Sequence, residues 1–416
     1  MSDKIKIFTI GDHPLSPSGV GIQSKYMIEG LIKTGKYEFV SFGGAITHPD
    51  YKPQKTEEWG TDWLIWPVDG YGNADMVRAM IHQQKPDMLW FMTDPRFYGW
   101  LWEIENEIRA YIPMIYYHVW DNYPYPSFNR KWYLSNDHVA CISKLTHDIV
   151  KTVAPEVESS YIPHAVDADI FKKFPPDVVK GFRKAKDLND KFVCFWNSRN
   201  ARRKQTGTLI WWFKEFLDNV GHDKACLIMH TDTKDVNGQD LDAIIHELGL
   251  GHGQVLFSRE KIGPHDLALM YNSADLTINI ADAEGFGLST LESLSCETPI
   301  LVNMTGGLQD QVTDGESFFG IGLRPTSKAV IGSQEVPYIY EDRLNKNEFI
   351  EALTRLYEMS PAERDELGIA GRKWIEKRFN FDTYVNTWDD LLSTIHDTQG
   401  SWSTRSGYKA YEVRTF

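Results

Sequence analysis

The sequence predicts an α/β fold built from two Rossmann-like domains, and three observations carry that expectation. The 416 residues exceed what one core usually organises, since a domain averages roughly 150 residues. Short apolar runs alternate with amphipathic segments almost throughout, the pattern of parallel sheets covered by helices. The alternation lapses near Phe171–Asp190, where Phe174-Pro175-Pro176 leads into a charged segment, and then restarts. Two such halves imply a cleft between them.

The elements follow in order. Strands are expected where apolar and β-branched or aromatic residues run together between polar breaks. In the first half these are Lys4–Ile10, Phe39–Gly43, Trp63–Trp66, Asp87–Met92, Met114–Val119, His138–Ile142 and Ser160–Ile162, with helices at Ile22–Ile32, Ala74–Gln83 and Tyr98–Glu107 between them. After a charged helix, Val178–Lys186, the second half offers strands Phe192–Trp196, Ala225–His230, Gln254–Phe257, Leu276–Ile280 and Pro299–Val302. Two amphipathic helices, Pro361–Arg378 and Phe381–Ile395, precede a polar tail, Thr398–Phe416, with Trp402, Tyr408 and Tyr411 as its packing candidates. The division expected is 1–172, 173–378 and 379–416.

Composition narrows the function. Apolar residues make up 42% and charged residues 25%, as in a globular protein. No run approaches the ~18–20 apolar residues of a membrane span, and the N-terminus lacks a signal peptide's long apolar core, so a cytoplasmic protein is expected. A net charge of −14 argues against broad adhesion to nucleic acid, although a local basic groove remains compatible with it. Cys141, Cys194, Cys226 and Cys296 are widely spaced in apolar or small-residue stretches and read as buried thiols. Aromatics are concentrated: 15 of the 46 residues from Met88 to Tyr133 are Phe, Trp or Tyr, more than a core obviously needs. A stacking surface for sugars or bases would use the surplus.

Three segments have the character of phosphate or sugar contacts. Ser16-Pro17-Ser18-Gly19-Val20-Gly21 joins the first strand to a helix, and glycines there let backbone amides approach an anion. A tight structural turn would look the same. Phe195-Trp196-Asn197-Ser198-Arg199 leads through Arg202-Arg203-Lys204 into the next helix, placing fixed cations at the carboxyl end of a strand, where open α/β sheets bind ligands. Glu284-Gly285-Phe286-Gly287 precedes a helix carrying Glu292, and such carboxylates accept hydrogen bonds from diols. Thr305-Gly306-Gly307-Leu308 offers a further amide-lined helix start.

In this order, these segments resemble the family 4-type glycosyltransferases of the GT-B fold. Tyr161-Ile162-Pro163-His164-Ala165-Val166-Asp167 with Phe171 is similar to that family's interdomain segment, and Arg199 and Lys204 fall at its R-x4-K spacing. Glu284 and Glu292 fall at its Glu-x7-Glu spacing, and Thr298-Pro299, Gly306-Gly307 and Asp314-Gly315 close the pattern. The resemblance implies a retaining transfer from a nucleotide diphosphate sugar, with no cofactor beyond the donor and no metal. It implies that Arg199 and Lys204 hold the diphosphate, Glu292 the ribose and Glu284 the transferred sugar. Gly19, Gly21, Gly285, Phe286, Gly287, Gly306 and Gly307 would touch the donor, and His118 would lie near the reacting sugar. It also implies that the last helix crosses back onto the first domain.

The chain departs from the family where Gln205 replaces the glycine after the lysine, and where Leu323–Leu344 forms a longer connection than usual. The segment His118–Pro126 looks like that of phage-encoded members. Trp120, Asp121 and Tyr123 are its candidate acceptor contacts. The acceptor expected is a hydroxyl of a saccharide or small molecule. The alternatives are a hydroxylated DNA base, favoured by Arg130-Lys131 nearby, and a GT-B-fold epimerase or hydrolase acting on the nucleotide sugar alone.

Overall fold

A computed structural model describes residues 4–410, which divide into two units. The first holds residues 4–165, 332–337 and 381–410; the second holds 166–331 and 338–380. The boundary therefore falls between Ala165 and Val166 rather than at 172, and the chain returns to the first unit at Phe381. Tyr411 lies outside the described residues.

The first unit is an eight-stranded sheet. Its strands are β1 (Ile5–Asp12), β2 (Tyr37–Gly44), β3 (Gln54–Lys55), β4 (Trp63–Pro67), β5 (Met88–Thr93), β6 (Met114–His118), β7 (His138–Cys141) and β8 (Ser159–Tyr161), in the order β3-β4-β2-β1-β5-β6-β7-β8. Every neighbour pair is parallel except β3 with β4. Strands covered on both faces lose the polar alternation of a half-exposed sheet, so β5 is buried from Met88 to Thr93. Helix Phe381–Gln399 buries Tyr384, Trp388, Leu392 and Ile395 at helical spacing. Trp388 meets Trp90 and Tyr117 edge-on at 5.9 and 4.9 Å. The tail is tied down in its described part: Trp402 donates to the Pro86 carbonyl at 2.9 Å, and Tyr408 to Asn106 at 2.8 Å.

The second unit repeats the plan with β9 (Phe192–Asn197), β10 (Ala225–His230), β11 (Val255–Ser258), β12 (Leu276–Asn279), β13 (Ile300–Asn303) and β14 (Gly320–Leu323), in the all-parallel order β11-β10-β9-β12-β13-β14. In both sheets the strand order reverses beside the first strand, between β1 and β5 and between β9 and β12. Doubly wound sheets bind ligands outside the carboxyl ends of strands at such points. An antiparallel hairpin, β15 (Ser327–Ile331) with β16 (Ile339–Arg343), fills the long connection.

Several elements differ from expectation. The helix expected over Tyr98–Glu107 is two short ones, Gly99–Trp102 and Glu105–Arg109. Strands β3, β14, β15 and β16 were not expected, because they are short, glycine-bearing or charged and so lack an apolar run. The aromatic surplus is largely core: Trp90, Phe91, Tyr98, Trp102, Tyr116, Tyr117, Trp120 and Tyr133 are all buried. All four cysteines are buried and free. No helix among the described residues is long and apolar enough to cross a membrane.

Candidate active site

Three loops at the carboxyl ends of β9, β12 and β13 build the site in the second unit. The first loop makes a short 3-10 turn, Arg202–Lys204, and then enters helix Thr206–Val220 through Gln205. Gln205 is left-handed at φ 57°, which explains why a glycine commonly stands there. The glutamine tolerates that conformation because its side chain is engaged on both sides: its amide donates to Asp282, and its carbonyl accepts from Thr208 at 2.7 Å.

The turn aims Lys204 inward, where its ammonium forms an ion pair with the Glu284 carboxylate. Arg203 lies 4.0 Å from the same carboxylate, and Asn279 donates to it at 3.3 Å. Burial alone would raise the Glu284 carboxyl, but Lys204, Arg203 and the hydrogen bonds hold it below the ordinary glutamate range. Two cations thus flank one ionised, half-buried acid.

Glu292 is set differently. It lies on helix Leu288–Ser295 and accepts from the Tyr271 hydroxyl at 2.7 Å, and that hydroxyl accepts from Asn197 at 2.9 Å. Burial pushes the Glu292 carboxyl up to about 7, against the lowering effect of the Tyr271 hydrogen bond. The residue is poised between an acid and a carboxylate at neutral pH.

The third loop fits tightly against the second. The Gly307 amide donates to the Glu284 carbonyl at 3.1 Å. Gly306 has φ 49°, and a Cβ there would stand 1.7 Å from that same carbonyl oxygen. Only glycine lets Gly306-Gly307 approach Glu284-Gly285-Phe286-Gly287 this closely.

Arg199 departs from expectation. Its guanidinium is turned onto Asp235, at 2.5 and 3.1 Å, and is largely exposed rather than converging with Lys204. Arg203 and Asn279 take places beside Glu284 that spacing alone did not single out. Asn279 and Asn197 were visible as amides ending buried strands. Arg203 was visible only as one of three adjacent cations.

The remaining expected residues stand in the first unit. Ser18 caps helix Gly19–Lys33, accepting from the Gly21 amide at 3.0 Å and donating to Asp12 at 2.6 Å. A Cβ on Gly21 would meet the His13 carbonyl and the Ser16 hydroxyl at 2.7 Å, so this glycine serves close packing, as a tight turn requires. His118 is fully buried, with its ring nitrogens 3.1 Å from the Tyr116 hydroxyl and 2.8 Å from that of Tyr133. Burial lowers its pKa to about 3, the condition of a packed, neutral core histidine rather than one open to a sugar. Trp120 is buried and donates to the Asn122 carbonyl at 2.7 Å, whereas Asp121 and Tyr123 are half-buried on the loop after β6. No group of three or more His, Cys, Asp or Glu suited to a metal occurs among the described residues.

Residues 181–374 match the family described as glycosyl transferases group 1. That match covers less than half of the chain and falls almost wholly within the second unit. Solved structures extend the fold over nearly the whole chain. Sucrose-phosphate synthase from Thermosynechococcus elongatus superposes with a TM-score of 0.75 at 16% identity, covering 95% of this chain and all of that one. Anabaena Alr3699/HepE, solved in complex with UDP and glucose, gives 0.69 at 15% identity over 94% of this chain and all of its own. The fold is GT-B.

Sequence relatives match over shorter stretches. D-inositol 3-phosphate glycosyltransferase of Streptosporangium roseum is 45% identical over 53 residues, 13% of this chain and 12% of that protein. Alpha-monoglucosyldiacylglycerol synthase of Streptococcus pneumoniae is 26% identical over 192 residues, 44% of this chain and 42% of that one. The chain thus spans less than half the length of these curated relatives. The group 1 match contains Arg199, Lys204, Glu284, Glu292 and Gly306.

Proposed function

We propose that this protein is a glycosyltransferase that moves a sugar from a nucleotide diphosphate sugar to a hydroxyl of a saccharide or small-molecule acceptor, with retention at the anomeric carbon. The carrying observation is the Lys204–Glu284 pair, flanked by Arg203 and closed over by Gly306-Gly307. A diphosphate would draw Lys204 and Arg203 to itself, with Arg199 recruited from Asp235 as a further cation. Glu284 would then be free to accept hydrogen bonds from sugar hydroxyls, and Glu292 from the ribose.

The bond from the sugar's anomeric carbon to the phosphate oxygen breaks, and a bond to the acceptor oxygen forms on the same face. The acceptor proton passes to the departing phosphate oxygen, so no protein nucleophile is needed. Negative charge grows on the leaving diphosphate, where the cations drawn to it on donor binding stabilise it electrostatically. The same cations support turnover without a divalent ion. A saccharide or small molecule is favoured over DNA by the net charge of −14, and in the basic pair near the aromatic segment Arg130 is engaged by Glu156 and the Val153 carbonyl while Lys131 lies over the Trp132 ring at 4.0 Å. The test is to supply nucleotide sugars with and without acceptors and follow the nucleoside diphosphate. Release only when both are present, unaffected by chelator, is expected. Release without any acceptor would replace this reading by hydrolysis.

A further inference from the structure

The ligand loops of the second unit are held by an element with no apolar signal in the sequence. Three successive residues of β16 each reach a different loop. Glu341 accepts a two-pronged contact from Arg202 of the first loop, at 2.9 and 2.6 Å. Arg343 donates to Asp282 of the second loop at 2.5 Å, and to Glu341 at 3.1 Å. Asp342 accepts from Thr305 of the third loop at 2.7 Å. Side chains alternate along a strand, so Glu341 and Arg343 share one face and Asp342 takes the other.

Asp282 is the junction. Its carboxylate also accepts from Gln205, its amide donates to the Arg203 carbonyl at 2.8 Å, and its carbonyl accepts from the Asp342 amide at 2.9 Å. It stands two residues before Glu284, and Gln205 directly follows Lys204. Asp282, Glu341 and Asp342 are only 3–5% exposed. Buried carboxylates are tolerated when paired and hydrogen-bonded, and such charge-assisted contacts fix geometry as well as adding energy. The loops also bond one another directly, through the Asp282 amide to the Arg203 carbonyl and the Gly307 amide to the Glu284 carbonyl, and the hairpin adds side-chain contacts to all three.

We propose that the β15–β16 hairpin is a positioning element for the donor site, with Arg343 at its centre. Through Asp282 it fixes Lys204 relative to Glu284, and through Asp342 it fixes the Gly306-Gly307 loop, so a diphosphate meets a preformed set of groups. The inference rests on the nucleotide-sugar reading. It assigns a purpose to the segment in which this chain departs most from the family pattern.

The test is calorimetric binding of UDP, GDP, ADP and dTDP to the full chain, followed by comparison of variants with the tightest of these. Lys204→Ala serves as the control for the underlying reading. Arg343→Ala should weaken binding by about tenfold or more, the size expected for misplacing one charge-assisted contact, while Arg343→Lys restores most of it. Thr305→Val, nearly isosteric, should weaken binding about threefold. Thermal unfolding of each free variant separates positioning from stability. If Arg343→Ala or Thr305→Val unfolds at lower temperature yet binds as tightly as the parent, while Lys204→Ala does not, the hairpin is merely structural and the proposal fails alone. If Arg343→Ala does not fold, the Thr305→Val affinity decides. Absence of binding by the parent protein to all four nucleotides overturns the functional reading and this inference with it.

Discussion

The two sheets share a central strand order but end in different chemistry. Beyond the carboxyl ends of β9 and β12, the second unit places Arg199, Arg202, Arg203, Lys204, Asp282 and Glu284, linked by ion pairs. Beyond the carboxyl ends of β1, β2, β5 and β6 in the first unit, the loops expose Leu15, Ile46, Tyr51, Phe97 and Tyr125, interspersed with the ion pairs Lys52–Asp50 and Arg96–Asp94. The same doubly wound plan therefore yields a densely charged edge and one richer in exposed rings and aliphatic side chains, and the difference resides in the loops. A charged edge suits a diphosphate. An edge of rings and aliphatic side chains suits the face of an acceptor.

This contrast can be broken most sharply at Lys204. Lys204→Ala should lower kcat/KM by about 10³-fold while a cooperative thermal transition persists, because it removes a fixed cation from the leaving diphosphate. A variant of near-parental activity would take the charged edge out of the chemistry.

Acid should separate the units next. His118 and His164 in the first unit have pKa values lowered by burial to about 3, against 6.5 in the unfolded chain. Between those values the unfolded state binds more protons. The first unit should therefore lose stability as pH falls below 6.5, by up to about 1.4 kcal/mol per pH unit for each histidine. Glu292 has the opposite sign: its folded value of about 7 lies above 4.5, so acidification towards 4.5 stabilises the second unit. Hydrogen exchange at pH 7 and at a mildly acidic pH should show protection falling in β5 while β9 holds or gains. Equal losses in both would refute the assignment.

The glycines test the comparison at a finer level. Gly306→Ala forces a Cβ into backbone at a left-handed position and should cost about 3 kcal/mol in urea unfolding, with donor binding lost. Gly21→Ala meets milder crowding, with the nearest atoms at 2.7 Å and no left-handed backbone, and should cost about 1–3 kcal/mol. Because the Gly21 amide is already committed to Ser18, nucleotide affinity should change less than about threefold. The smallest effect is expected from Tyr125→Ala, which should raise acceptor KM about threefold and leave donor KM unchanged. An equal change in both would deny the apolar edge its role.

Much of this was legible beforehand, for identifiable reasons. Strands such as β5 and β9 are continuous apolar runs because helices cover both faces, and Lys204, Glu284, Glu292 and Gly306 follow those runs at recognisable spacings. Arg203, Asp282 and Arg343 were not legible as a set, since ion pairs such as Arg343–Asp282 join residues 61 apart and leave no local pattern. His118 misled because the end of a strand looks identical whether the ring faces a ligand or, as here, two tyrosines. The aromatic surplus misled for a related reason. Phe91, Tyr98, Trp102 and Tyr116 pack on one another with centroids about 5–6.5 Å apart, and sequence cannot distinguish such a cluster from a stacking platform.

The return of helix Phe381–Gln399 has a consequence for synthesis. Tyr37 on β2 bonds Asp389 at 2.7 Å, and Trp90 on β5 leans on Trp388. On the ribosome the first unit's strands emerge before the helix that covers them, Phe381–Gln399, with the second unit's residues in between. The second unit, complete by Asn380, can finish first. The first unit's strands are therefore made before the second unit yet sealed after it, and translation must keep their apolar sheet face from wrong partners while the second unit is synthesised.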